Sequence, residues 1–438
     1  MNVIVYVNDS LRIDHVGCYD KFRDPNFVPF ETKTPNLDRF AGHSAVFDYA
    51  YTEGLPTLPT RTAMFTGRYT FPFRSWQRLE PTDILLSEVL WEKGFNSALI
   101  TDTFHMHKPS MAYERGFDFV HFVRGQEGDP YILDKSIEVD LSTHYKSDGK
   151  DKMVKQQMEQ YLRNIHEWKS HEDHFMAQVS KSAMNWLDLM KDKNNKFLWV
   201  DCFDPHEPWD PTPEFDNYRN PNYNGQRITH PIPGDVEGYL DKEEIRDILG
   251  LYAGEVELCD YWFGKFMEKV EELGMLENTL IIHTTDHGEP FGEHGIIRKA
   301  KPYMYEELVH IPLMIHHPEG VGAGERFDAI AETPDIMPTV LNSLGLRVPR
   351  KCHGKSLLPV MKGEQEKLRD YAYVGQHGKC WRINDHQYSY IHWPRGDREP
   401  ELYDQKADLM EQNNIIDQHP ELAEKMKTEL LTFVEKLK

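Results

Sequence analysis

The chain has 438 residues, 39% of them hydrophobic and 12% aromatic, which is enough for one large α/β domain or two domains and excludes a disordered chain. Its net charge of −22 is spread along the sequence without an acidic tail. That balance argues against nucleic acid and anionic membrane as partners, so an anionic substrate would need a local positive pocket. Five cysteines, an odd number with no Cys-x-x-Cys pair, read as free thiols of a reducing compartment. With no signal-like start and no apolar run near ~18–20 residues, the expectation is a cytoplasmic protein without a membrane span.

In chain order, Asn2 to Val7 reads as a strand buried on both faces, ending in Asn8-Asp9-Ser10. Thr34 to Ala41 reads as a short capped helix, and Val46 to Tyr51 as another strand. Thr60 to Thr66 reads as a helix stopped by Gly67, with Pro56 and Pro59 straddling Thr57. Ile84 to Lys93 is amphipathic, and Asn96 to Thr101 is a buried strand ending in Asp102 and His105. Residues 113 to 131 read as loop-rich and aromatic, and 152 to 192 as two long helices with solvated charges. Lys196 to Phe203 is a strand running into Asp204-Pro205-His206, and 220 to 234 is a surface loop. Leu240 to Leu273 is helical up to Gly274. Thr279 to Thr284 is a strand ending in Asp286-His287, Ile311 to Ile315 is a strand, and Thr333 opens a helix ending near Gly345.

This strand–helix alternation predicts an α/β fold with a large, mostly parallel sheet between helices over residues 1–345. From residue 346 to 438 the texture changes to a smaller antiparallel sheet, with short runs at 371–374, 380–384 and 387–392, closed by an amphipathic helix from Pro420 to Leu437.

In open α/β sheets, ligands gather at the carboxyl ends of the strands. Four strand ends here carry Asp9, Asp102 with His105, Asp204 with His206, and Asp286 with His287. Carboxylates and imidazoles at one edge can hold a divalent cation. Thr57 stands just before a helix start, where free N–H groups favour an anion, and Arg61 follows four residues later. A hydroxyl, an arginine and a helix start at this spacing point to covalent attack on a phosphate or sulfate ester. An ordinary proline-flanked cap explains the same residues on their own. With a nearby cation to activate the hydroxyl, and with His206, Lys299 and Arg61 to neutralise oxygens, the set reads as an esterase site for a small anionic ester.

The blocks Asp9 to Tyr19, Thr57 to Arg61 with Thr66-Gly67-Arg68, Asp204-Pro205-His206, Thr285 to Glu289 with His294-Gly295, Tyr305 to Leu313, and Glu401 to Asp404 resemble those of the sulfatase family, within the alkaline phosphatase superfamily. The resemblance implies an alkaline-phosphatase-like fold and a metal-dependent ester hydrolase. It places Asp9, Asp286 and His287 on metal-ligand positions, Thr57 on the nucleophile and Arg61 beside it. His206 and Lys299 fall on anion-binding positions, with Lys301 as the alternative lysine. The metal stays open among Ca²⁺, Mg²⁺, Mn²⁺ and Zn²⁺, and a homo-oligomer stays open too.

Three departures stand out. Ser10 replaces a second acidic residue. The family's Gly-Lys-Trp-His block is absent, with Asp102, His105, His107 and Lys108 in its neighbourhood and His105 carried forward as the substrate-binding candidate. Thr57 stands where the family has a cysteine or serine that becomes formylglycine, so no formylglycine is expected. A formylglycine hydrate expels sulfate by collapsing to the aldehyde, an exit that threonine lacks. A phosphorus ester is therefore favoured over a sulfate ester. A catalytically degenerate metal- and anion-binding homologue and a sulfo- or phosphoryl transferase remain as alternatives.

Overall fold

The structure is a computed structural model describing residues 1–142, 144–149, 151–299 and 302–437. Its strands are β1 (Asn2–Asn8), β2 (Ala45–Tyr51), β3 (Asn96–Thr101), β4 (Phe119–Phe122), β5 (Lys196–Cys202), β6 (Gly234–Asp235), β7 (Thr279–Thr285), β8 (Ile296–Ile297), β9 (His310–His316), β10 (Arg326–Phe327), β11 (Ala331–Glu332), β12 (Ala372–Gln376), β13 (Cys380–Asn384), β14 (Tyr388–His392) and β15 (Glu401–Asp404). The helices are α1 (Pro35–Ala41), α2 (Thr57–Thr66), α3 (Leu86–Glu92), α4 (Lys152–Asn164), α5 (Phe175–Leu189), α6 (Lys242–Glu272), α7 (Glu306–Val309), α8 (Ile336–Ser343), α9 (Leu358–Met361) and α10 (Pro420–Leu437).

The large sheet runs β10-β2-β9-β7-β1-β5-β3-β4, with β11 also paired to β2. Its pairings are parallel except that β9 runs against both β7 and β2. Successive β1 side chains point to opposite faces. Ile4 and Tyr6 enter a core with α1, α5 and α6, whereas Val3, Val5 and Val7 pack with residues of α2, α3 and α8. The sheet is thus covered on both sides, as its continuous apolar strands require.

The second sheet is the antiparallel meander β12-β13-β14-β15. Ile383, Tyr390 and Leu402 on one face meet Ala423, Met426, Leu430 and Val434 of α10. Its edge strand reaches back to the large sheet. Gly375 N–H donates to the Glu53 carbonyl at 2.9 Å, and the Gly375 carbonyl accepts from Leu55 N–H at 3.2 Å. A side chain at Gly375 would meet the Phe71 ring, its Cβ only 2.2 Å away. The meander therefore anchors the approach to α2.

Four local details differ from the sequence expectation. Helix α2 begins at Thr57, not Thr60. Pro59 is tolerated because first-turn N–H groups have no intrahelical partner. β4 (Phe-Val-His-Phe) lies inside the stretch read as loop-rich and aromatic; it is a short edge strand whose first three residues are exposed. β15 adds a fourth strand to the meander. Thr34 does not cap α1 with its side chain; its hydroxyl accepts from Gly17 N–H at 2.7 Å.

Gly67 ends α2 at φ +64°, and a Cβ there would lie 2.3 Å from the Cys352 sulfur. Gly67→Ala is expected to lose at least about 1 kcal/mol of stability from the left-handed backbone alone, with the Cys352 clash adding to it. Thermal unfolding of the purified variant measures that loss.

Candidate active site

Strands β7, β1, β5 and β3 lie side by side and parallel, so their carboxyl ends share one edge. The loops leaving β1 and β7 bring Asp9, Asp286 and His287 together, with one donor atom from each within 4.8 Å of the others. All three are buried. Helix α2 enters from the other side and aims Arg61 into the group.

Arg61 organises the site. Its Nε and Nη2 donate to the Asp201 carboxylate at 3.0 and 2.7 Å. Its Nη1 donates to Asp9 Oδ2 at 3.0 Å, to Asp286 Oδ2 at 2.6 Å and to the Thr57 carbonyl at 3.3 Å. Burial alone would lower the guanidinium pKa, but Asp201, Asp286 and Asp9 outweigh it and hold the group well above its ordinary range. The last contact ties the first turn of α2, and with it Thr57, to the carboxylate cluster. Thr57 itself is 3% exposed.

Asp201 is tied down further by the Thr103 hydroxyl at 2.7 Å and by Trp199 Nε1 at 3.1 Å. Ser10 sits at φ 62° between the two loops. Its hydroxyl donates to Asp9 Oδ1 at 2.8 Å, and its N–H donates to Asp286 Oδ1 at 3.1 Å. Asp9 is pushed above the ordinary carboxylate range by burial and by Asp286.

These residues fit a divalent cation. Three buried carboxylates face one guanidinium, which leaves two negative charges uncompensated. His287 Nδ1 lies 2.8 Å from the Gly288 carbonyl, to which only an N–H can be donated. Nε2 then carries the lone pair, and it is buried with no hydrogen-bond partner. Burial lowers the His287 pKa to about 4, keeping the ring neutral and able to ligate.

A second row of side chains stands toward solvent. Lys299 reaches the Ser10 hydroxyl at 3.3 Å, pairs with Glu289 and lies 3.6 Å from Glu207. Burial would lower its pKa, but Glu207, Glu289 and Asp9 raise it well above the ordinary lysine range. His206 Nδ1 donates to the Glu207 carbonyl at 2.8 Å, and burial lowers its pKa to about 4. Phe203 lies between His206 and His105, with ring centroids 4.0 and 6.0 Å away. His105 Nε2 meets Glu127 at 2.9 Å. The side chains of His206, Lys299 and His105 keep 8, 11 and 16% exposure, which marks the side from which a ligand enters.

Over residues 1–346 the chain matches the sulfatase family model, and over 292–436 it matches that of the N-sulphoglucosamine sulphohydrolase C-terminal region. The chain belongs to the sulfatase family. It is therefore an ester hydrolase of the alkaline phosphatase superfamily. An N-acetylglucosamine-6-O-sulfatase of Bacteroides thetaiotaomicron is 26% identical, over 99% of this chain and 85% of its own length. A multifunctional alkaline phosphatase superfamily protein of Trinickia caryophylli is 25% identical, over 94% of this chain and 91% of its own. The crystal structure of a phosphonate monoester hydrolase of Agrobacterium radiobacter superposes with a TM-score of 0.74 at 20% identity, covering 100% of this chain and 96% of that one.

For this family member the structure gathers Asp9, Thr57, Arg61, Asp286 and His287, with His206, Lys299 and His105 beside them. Lys301 lies outside the described residues. The other residues near His105 turn elsewhere. The His107 ring stacks on Phe122 at 4.2 Å, the Lys108 ammonium lies over Phe104 at 4.8 Å, and Asp102 Oδ1 accepts from Phe203 N–H at 2.7 Å. Asp204 shares the strand edge but joins His174 and Glu255 instead.

Asp201 escaped the sequence reading because it lies inside β5, not after it. The signal was available: a carboxylate deep in an apolar strand buried on both faces needs a cation beside it. Glu207 and Glu289, the partners of Lys299, carried no signal beyond adjacency to His206 and His287.

Proposed function

We propose that the chain hydrolyses phosphate or phosphonate esters, with Thr57 as a nucleophile standing where formylglycine stands in the family. The observation that carries this reading is a threonine on the first turn of α2, its carbonyl held by Arg61 and so tied to the Asp9–Asp286 cluster. The shared fold accommodates a sugar sulfatase and a phosphonate monoester hydrolase alike, so the nucleophile decides between them.

The free N–H groups of α2 and the Lys299 ammonium would hold the non-bridging oxygens of the ester. The Thr57 hydroxyl gives up its proton to solvent as its oxygen attacks phosphorus, the P–O bond to the alcohol breaks, and the alcohol leaves with a proton. Charge from a bound anion favours protonation of His206, which stands on the open side and can give that proton. Water then gives a proton to His206 and attacks phosphorus, the P–O bond to Thr57 breaks, and phosphate or phosphonate leaves as Thr57 takes a proton from solvent. Asp9, Asp286 and His287 would hold one divalent cation, which supplies Lewis-acid polarisation of the ester and a lower hydroxyl pKa. The five free cysteines support a reducing compartment such as the cytoplasm.

The test compares turnover of 4-nitrophenyl phosphate, bis(4-nitrophenyl) phosphate, 4-nitrophenyl phenylphosphonate and 4-nitrophenyl sulfate, with Mg²⁺, Ca²⁺, Mn²⁺ or Zn²⁺ added in turn. At least one phosphorus ester is expected to exceed the sulfate by about tenfold or more in kcat/KM. Sulfate turnover above all three phosphorus esters would overturn the phosphorus preference. No turnover of any ester, with phosphate still bound, would favour the degenerate homologue, for which Ser10 in place of a carboxylate speaks.

A further inference from the structure

The turn after β5 carries Glu207 next to His206, and Glu207 is buried. Three cationic or protonatable groups surround its carboxylate: Arg298, Lys299 and His206. Arg298, directly after β8, donates Nε to Glu207 Oε1 and brings Nη2 to the same oxygen. Arg298 is itself fixed. Its Nη1 donates to the Pro231 carbonyl at 2.9 Å and to His230 Nε2 at 3.2 Å, and its backbone has φ 59°. A non-glycine residue keeps that left-handed backbone only where its surroundings hold it. Oε1 is thus tied down, and the tie sets where the other oxygen points.

Oε2 is buried and has no hydrogen-bond partner among the described residues. It stands 3.3 Å from His206 Nδ1 and 3.6 Å from Lys299 Nζ. His206 Nδ1 already donates to the Glu207 carbonyl at 2.8 Å, so one residue offers Nδ1–H both a carbonyl and a carboxylate oxygen. A nitrogen facing two acceptors must carry the hydrogen, which fixes the tautomer. Nε2 is left as the ring nitrogen that can face a ligand.

Charge agrees with the contacts. Burial would raise the Glu207 carboxyl, but Arg298, His206 and Lys299 hold it well below the ordinary range, so it is an anion near neutral pH. Burial disfavours the His206 imidazolium. Glu207 is the first of the groups that oppose this, with Asp9 and Glu127 behind it and Lys299 against them. A carboxylate on the far nitrogen keeps an imidazole oriented and stabilises its protonated form.

We propose that Glu207 is a positioning residue for proton transfer: held by Arg298, its carboxylate fixes the hydrogen on His206 Nδ1, presents Nε2 to the leaving oxygen and stabilises the imidazolium. Nε2–H passes to the leaving oxygen as the bond from that oxygen to phosphorus breaks, and the ring is left neutral with Nδ1–H in place. In the second step water returns a proton to Nε2. The inference rests on the proposed role of His206 as proton donor, and not on phosphorus over sulfur.

The test compares a 4-nitrophenyl ester with the phenyl ester of the same acid (phosphate, phosphonate or sulfate), whichever the wild type cleaves. 4-Nitrophenolate leaves readily without a proton, whereas phenolate, as basic as a tyrosinate with a pKa of about 10, needs one far more. Glu207→Gln keeps the shape and removes the charge. It is expected to lower kcat/KM for the phenyl ester by at least about a hundredfold and for the 4-nitrophenyl ester by less than about tenfold. His206→Gln should show the same selective loss, and the double variant little beyond it, because the two residues act as a unit. The product anion should inhibit Glu207→Gln at least as well as wild type, since Lys299 keeps Glu289 and loses a neighbouring carboxylate. Where Glu207→Gln does not fold, Arg298→Lys supplies the readout. An ammonium cannot hold Oε1 with a fork, so a smaller loss confined to the phenyl ester is expected. Equal losses on the two esters would overturn the proposal and leave Glu207 an ion-pair partner of Arg298 alone. Losses that multiply in full in the double variant would overturn it too, by separating Glu207 from His206. A wild type that cleaves no ester of the three acids would instead sink the reading of Thr57 and His206 as working groups, and this role with it.

Discussion

Thr57→Ala is expected to lower kcat/KM toward the preferred phosphorus ester by at least about a thousandfold, or about 4 kcal/mol of transition-state stabilisation. The substitution removes the attacking oxygen and little else. The contact between Thr57 and Arg61 runs through the Thr57 carbonyl, which alanine keeps. The cluster of Asp9, Asp201 and Asp286 around Arg61 should therefore stay assembled, and the unfolding midpoint should match wild type. Inorganic phosphate should still inhibit or bind, because Lys299 and the start of α2 remain in place. Thr57→Ser, which restores a hydroxyl at the same atom position, should recover most of the rate. Acid-quenched wild type should carry the phosphoryl group on the α2 peptide, and Thr57→Ala should carry none. A wild-type rate in Thr57→Ala would remove Thr57 from the chemistry. An unlabelled but active wild type would replace the covalent route with direct attack by water.

The large sheet was legible because its strands announce themselves. Asn2 to Val7, Asn96 to Thr101 and Thr279 to Thr284 are apolar runs that end abruptly in Asp, His or Ser, and the structure places all three within or at the ends of observed strands. The convergence of Asp9 with Asp286 followed from parallel pairing alone. What escaped was set by contacts between segments far apart in the chain. Nothing local says that β9 runs against its neighbours, because Ile311 to Ile315 has the same apolar texture as the parallel strands. Asp204 and Asp286 look alike as strand-end carboxylates, yet they serve different groups. β5 lies next to β1 on the side away from β7, and its exit turns toward α5 and α6. Asp201 shows the complementary failure. Strand-end reasoning passes over a residue inside a strand, and its meaning appears only when Arg61 arrives from 140 positions away.

Arg61→Met should be the most destabilising substitution in the site, with a loss of about 3–5 kcal/mol near neutral pH. Methionine fills much of the volume but leaves Asp9, Asp201 and Asp286 facing one another in a buried place without the cation that now bridges them. The loss should depend on pH with a definite sign. Asp9 already lies above the ordinary carboxylate range through burial and Asp286, and loss of the Arg61 cation that opposes them raises it further above its unfolded value of about 4. The unfolded chain then binds fewer protons than the folded one between those values, so stability falls as pH rises through that window. Urea unfolding of Arg61→Met should show a smaller deficit against wild type at about pH 5 than at about pH 8. A deficit that does not change with pH would mean that a metal ion or water, not Arg61, compensates the cluster. Arg61→Lys separates charge from shape. An ammonium can meet one carboxylate but cannot span Asp201 with one edge and Asp9 with Asp286 at the other. It should recover part of the stability and little of the activity, because the link from the cluster to the first turn of α2 depends on the fork and not on the charge alone.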